Sequence, residues 1–430
     1  MAINYQDRIV ITGIGLLTPF GKGVKDNISA LFDFKTGINL HQISQNNEEL
    51  LYLGKITDSL AIDIPKSLSG QYKFLNRGGQ IGLYSAIEAM ADIDISAIPP
   101  EDRAFFLATG DLSNTGCEFM YPANKAALDK DNKIDYKKLN KAGLNKVNPF
   151  FLLDSIANNP FSFISSYFEF MGDNTSISSL SPSGALAIEL ACRSLKQGRS
   201  SIALVIGSTT WINPVSLYEM QGLGLLSRCK EGAKSFKPLD RFRDGFIPAE
   251  GGASIVLEKE QSAIQRGHKI YGSIVSSSCQ CETMSRDTIS VPEMITLNAI
   301  DGLIKSSQKS IDDFAFICLH GSGSKKGDKS ELESVKNIFE KYNTRIPICA
   351  LKSYTGHMGC ASDLFDIIMS LQFLNQNKIP KTLNFEEAER QFINLPITKS
   401  IIDTDKSLFI SISNGLGNQS VAFIIEKANY

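Results

Sequence analysis

The sequence is short of several features that would class it at once. It has no apolar run near the roughly 18 residues of a spanning helix, which excludes a helical membrane segment. Its start, "MAINYQDRIVITGIG", lacks a basic stretch followed by a long apolar one, so no signal peptide is expected. The formal net charge of −2 offers no global attraction to nucleic acid or to anionic membranes. The eight cysteines are scattered. Only Cys279 and Cys281 are close, and C-x-C without a second pair is a poor zinc site; reduced, mostly buried thiols of a cytoplasmic protein fit better. There are only four histidines in 430 residues, so each can be weighed singly.

What is present describes a globular α/β protein. Arg8–Gly21, "RIVITGIGLLTPFG", reads as a buried strand leading into a loop. Similar runs recur at Phe105–Gly110, Ser201–Ser208, Gly252–Lys259, Phe314–Gly321, Pro347–Ser353, Leu408–Asn414 and Val421–Lys427. Helical stretches lie between them. Ala185–Leu195 is apolar nearly all round and closed by Gly198, which predicts a buried helix; Lys329–Tyr342 is amphipathic. Continuous apolar strands alternating with helices imply covered sheets. The length and the two rounds of this pattern predict two related halves, residues 1–255 and 256–430. Residues 122–146 stand apart, with seven lysines against three aspartates. They read as a solvated insertion, or as a docking surface for an acidic partner.

The glycine patterns do not make a nucleotide site. "GIGLLTPFG" and "GLGLLS" miss the dinucleotide spacing, and "GSGSKKGDKS" is not a phosphate-binding loop. More specific are "CLHGSGSKKGDKSELE" (Cys318–Glu333), "ALKSYTGHMGCASDLFD" (Ala350–Asp366) and "SISNGLGNQSVAF" (Ser411–Phe423). They put His320, Lys352 and His357 just past buried strands and beside glycines, where sites of α/β proteins assemble. In "NTSISSLSPSGALAIE" a strand turns sharply into the buried helix at Ser181.

These segments, with "KPLDRFRDGFIPAEGGASIVLEK" (Lys237–Lys259), resemble a β-ketoacyl-acyl carrier protein synthase over nearly the whole chain. The resemblance implies a thiolase fold, a duplicated five-layered αβαβα core, usually dimeric. It implies a Cys-His-His site in which the cysteine takes an acyl chain from the phosphopantetheine arm of acyl carrier protein, with no bound cofactor or metal. On this chain the histidines correspond to His320 and His357, the lysine to Lys352 and its acidic partner to Glu331. The cysteine corresponds to Ser181, and the gating phenylalanine to Asn414. The "TGH" motif continues Met358-Gly359-Cys360-Ala361-Ser362-Asp363 instead of glycine and alanines. The stretch after Ser276–Asp287 lacks the expected aromatic and Pro-rich pattern.

A serine hydroxyl is too weak an acid to become the thiolate's equivalent without a positioned base. Ser181 can still cap the helix, and its N–H, with that of Asn414, can form an oxyanion hole. The leading expectation is a cysteine-lacking partner of a catalytic ketosynthase, like a type II polyketide chain-length factor, in a heterodimer; a homodimer is the other possibility. The alternatives are an acyltransferase acylated on Ser181, or a malonyl decarboxylase using the histidines. The absent thiol argues against a self-sufficient elongation enzyme.

Overall fold

The computed structural model describes residues 8–44, 47–109, 117–151, 153, 156, 158–178, 182–282 and 291–428. Ten strands carry the architecture: β1 (Ile9–Thr18), β2 (Arg103–Thr109), β3 (Asn174–Ser178), β4 (Ile202–Thr210), β5 (Glu250–Lys259), β6 (Gly272–Cys281), β7 (Phe314–Cys318), β8 (Ile348–Cys349), β9 (Leu408–Asn414) and β10 (Gln419–Lys427). The helices that matter here are α1 (Arg77–Met90), α2 (Ser183–Lys196), α3 (Pro214–Gly222), α4 (Leu297–Ser307), α5 (Lys325–Tyr342), α6 (Lys352–Thr355) and α7 (Cys360–Asn375).

The strands lie in the order β8-β7-β9-β10-β6-β1-β5-β4-β2-β3. Reading outward from the middle, β1-β5-β4-β2-β3 and β6-β10-β9-β7-β8 are the same ladder twice: first, fifth, fourth, second and third strand of each set. In both ladders the two inner pairings are antiparallel and the two outer ones parallel. Antiparallel pairing of Ile9–Ile11 with Gly272–Ile274 joins the ladders. The duplication expected from the alternation of strands and helices is thus explicit in the topology. The expected cut at 255/256, however, falls inside the continuous strand β5.

Helices fill three layers. α1 covers one ladder, α4 and α5 the other, and α2 and α7 pack together between the two. Position follows composition. α7 is apolar on every face and is buried over nearly all its length, as a helix enclosed by two sheets must be. α2 begins two residues before the expected span and ends as foreseen, with Gly198 in the left-handed region (φ +69°). Two other expectations shift. Pro347–Ser353 yields only the two-residue β8, because Lys352–Thr355 already turns as a helix. α5 starts at Lys325 rather than Lys329, since the Ser324 hydroxyl caps the Gly327 N–H. Within the lysine-rich segment, Tyr121–Ala127 and Tyr136–Lys146 are helical, and only small residues are buried there.

Candidate active site

His320, Lys352, His357 and Asn414 come together beyond the ends of β7, β8 and β9, next to the start of α2. His320 follows β7 by two residues. Its N–H and that of Gly321 donate to the two carboxylate oxygens of Glu331 on α5, at 2.9 and 2.8 Å. One turn earlier on α5, Asp328 accepts the N–H groups of Leu239 and Gly323. Two buried acids on one helix therefore hold the Gly-Ser loop in shape. Burial and the neighbouring Asp328 push Glu331 up to about 8, against the pull of the two amides and of Lys352.

The His357 backbone is clamped on Ile247–Ala249: its N–H donates to the Ile247 carbonyl and its carbonyl accepts from Ala249. The ring is boxed by Trp211 (centroids 5.0 Å apart), Phe246 (4.9 Å) and His320 (5.3 Å, edge to face). Nδ1 of His357 accepts the N–H of Gly359 at 3.1 Å, which places the proton of the neutral ring on Nε2. Gly359 manages this with φ at +51°, against Thr209 and Trp211, where a side chain has no room. Burial, then the Lys352 ammonium, holds both histidines well below their ordinary value; His320 also feels His357. Both rings are accordingly uncharged at neutral pH.

Lys352 is buried completely and donates to Asp366 Oδ2 at 2.6 Å. Burial alone would lower the ammonium, but Asp366 and Asp363 more than compensate and keep it charged. This corrects the sequence expectation: the acid paired with Lys352 is Asp366 of α7, whereas Glu331 serves the backbone of the His320 loop. Asp366 was legible in principle. A carboxylate on a helix apolar all round needs a buried cation, and Lys352 lies fourteen residues before it. Trp211 and Phe246, which box His357, carried no comparable signal. Ser181 lies outside the described residues. The other two histidines are elsewhere, with His268 Nδ1 2.7 Å from Glu258 and His41 on the strand Ile38–Ser44.

His320, His357, Glu331 and Asn414 open into one pocket. Trp211, Met220, Leu223, Phe246, Ile295 and Leu416 give it apolar walls, and Ser322 and Ser324 add hydroxyls along one side. Such a pocket suits a chain that is mostly apolar with a few amides or a carbonyl. Among the described residues, no group of three or more His, Cys, Asp or Glu is placed to hold a metal, and no helix is long and apolar enough to cross a membrane.

Comparison with known proteins identifies the family. Residues 6–263 match the family described as beta-ketoacyl synthase, N-terminal domain, and residues 271–386 match its C-terminal domain. This chain belongs to the beta-ketoacyl synthase family. The 3-oxoacyl-[acyl-carrier-protein] synthase 1 of Buchnera aphidicola subsp. Acyrthosiphon pisum is 27% identical over 435 residues, covering 98% of this chain and 99% of the relative. A putative mitochondrial 3-oxoacyl-[acyl-carrier-protein] synthase of Schizosaccharomyces pombe is 26% identical, with the same coverage. Among solved structures, a ketosynthase complex of a type II polyketide synthase with its acyl carrier protein superposes with TM-score 0.81 at 20% identity, covering 98% of this chain and 99% of that one. The ishigamide ketosynthase/chain length factor superposes equally well, TM-score 0.81 at 18% identity, with the same coverage. The fold is the thiolase fold shared by this family, with its duplicated α/β core.

Proposed function

We propose that this protein handles acyl groups carried as thioesters on acyl carrier protein, polarising the thioester carbonyl without a thiol of its own. The observation that carries the proposal is the pair of neutral histidines facing one apolar pocket, with the His357 proton fixed on Nε2. The uncharged Nε2–H of His357, with the His320 ring edge to face beside it, suits an oxygen that becomes negative during reaction. With a malonyl thioester, the bond from carbon to the carboxylate breaks and carbon dioxide leaves. The electron pair passes into an enolate whose oxygen the histidines hold, and a proton from water then gives the acetyl thioester. Ser181 enters no step of this sequence. Burial, helped by the Lys352 ammonium, keeps the rings uncharged.

Condensation needs an acyl group parked on a nucleophile, and Ser181 has no thiol to offer. We assign that task to a cysteine-bearing homologue, with this chain as its chain-length-factor-like partner in a one-to-one heterodimer. The pantetheine arm would enter along Ser322 and Ser324, and the pocket walls would face the acyl chain. The N–H groups of Ser181 and Asn414 would serve as further oxyanion donors.

The experiment is to incubate the purified protein with malonyl-loaded carrier protein and follow its conversion to the acetyl form by intact mass spectrometry. Conversion that falls at least 100-fold in His320→Ala is expected, in line with losing one oxyanion donor. No conversion by wild type would overturn the proposal. A +acyl adduct lost in Ser181→Ala would instead support the acyltransferase reading. Co-expression with a cysteine-bearing ketosynthase should give a heterodimer on gel filtration, and a stable homodimer that excludes it would remove the partner assignment.

A further inference from the structure

The pocket has an outer and an inner end. At the outer end Leu223 is 51% exposed, and Ser322, Ser324 and Leu416 are partly exposed. At the inner end Trp211, Met220, Phe246 and Ile295 are buried, together with His320 and His357. Three rings close that end. The centroids of Trp211 and His357 are 5.0 Å apart, those of Phe246 and His357 4.9 Å, and those of Trp211 and Phe246 6.1 Å. A hydrocarbon chain needs about 3.5–4 Å to its neighbour on each side, hence roughly 7–8 Å between two rings that it passes. None of the three gaps is that wide. Trp211 also has little room to withdraw. It follows Thr210, which is still paired with Glu250 on β5, and its indole belongs to a buried cluster with Leu217, Phe236, Ile38 and Leu53. On another side it lies against Gly359, where a methyl group would come within 3.0 Å of the indole.

We propose, on the reading that carrier-bound thioesters enter this pocket, that Trp211 is its stop and confines the acyl group at the histidines to acetyl or malonyl size. The arm lies toward the outer end, along the hydroxyls of Ser322 and Ser324, and the thioester carbonyl is held at Nε2 of His357. The acyl carbons then continue inward and meet the indole. An acetyl or malonyl unit ends before it, whereas a longer chain runs into three packed rings. Trp211 is the largest of the three, and it is the one tryptophan in the chain. It takes part in no bond making or breaking; it sets which acyl groups fit. Alanine at this position would remove most of the inner wall and leave apolar space beside Leu217 and Met220.

The test reads binding, so it needs no turnover. Pantetheine amides, with nitrogen in place of the thioester sulfur, are made with acetyl, butyryl and octanoyl groups. Each is titrated by calorimetry into wild type, Trp211→Ala and Trp211→Phe. In an open apolar pocket every further buried methylene tightens binding, so octanoyl would bind better than acetyl. Wild type should show the reverse order, with octanoyl at least ~10-fold weaker than acetyl. Trp211→Ala should turn the order round, with octanoyl at least ~10-fold tighter than acetyl. Wild type that binds octanoyl as tightly as acetyl, or Trp211→Ala that still prefers acetyl, would overturn the proposal and leave the handling of thioesters standing. Wild type that binds none of the amides would overturn both. Circular dichroism reports whether the variants are folded. If Trp211→Ala is not, Trp211→Phe, which opens less space, should still narrow the gap between acetyl and octanoyl, and an unchanged gap there would sink the assignment.

Discussion

Lys352 and Asp366 are buried 2.6 Å apart, and each charge is tolerable there chiefly because of the other. Lys352→Met should cost about 3–5 kcal/mol, measured as a lower urea midpoint at constant slope. Lys352→Met/Asp366→Leu should recover most of that loss, and a double variant no better than the single would refute the pairing. The histidines give a pH signature. His357 is held below 6.5 in the folded chain, so the unfolded chain takes up the proton first as pH falls. Wild type should therefore lose stability relative to His357→Gln below about pH 6.5, by up to ~1.4 kcal/mol per pH unit. Urea titrations at pH 7, 6 and 5 measure the difference, and a flat difference would contradict it. His320, His357 and Lys352 could be picked out of the sequence because each follows an apolar strand and sits beside glycine. The partner acid could not be chosen that way. Glu331 and Asp366 both lie on helices after the motif residues; the apolar helix around Asp366 points to it, and the packing shows that it meets the ammonium.

At the scale of elements, the contact between α2 and α7 organises the site. Gly184 lets the helices approach until Cys360 and Asp363 touch α2, and Gly184→Ala must push them apart. A cost of about 1–3 kcal/mol is expected, measured by denaturant unfolding, with loss of the Asp363–Ala185 hydrogen bond. A neutral result would mean that the helices separate freely. The long strands and α2 were readable because continuous apolar runs and a closing Gly198 are strong local signals. β8 was not, because "PICALKS" has the composition of a longer strand while Lys352 turns into a helix to reach Asp366. The start of α5 was obscured for a related reason. "GSGSKKG" reads as loop, yet Ser324 caps the helix and Glu331 and Asp328 fold the preceding glycines back onto it.

On the scale of the molecule, two ladders of identical topology share one middle layer. α7 packs on β4 and β5 of one ladder and on β9 and β10 of the other, so the first ladder is partly covered by a helix of the second half. Residues 1–265 expressed alone should fail to give a cooperative thermal transition, whereas the full chain should unfold in one step; a sharp transition from the fragment would contradict this. The doubling was foreseeable from two rounds of strands and helices, but the boundary was not, since β5 runs unbroken through position 255. The family scaffold carries His320 and His357 on an apolar pocket with Lys352 nearby, and serine stands at position 181. The most direct measurement supplies the purified protein alone with acyl-loaded and malonyl-loaded carrier proteins and follows the products by mass spectrometry. Acetyl carrier protein should form, with no condensed product. Formation of a 3-oxoacyl carrier protein without any companion would contradict it.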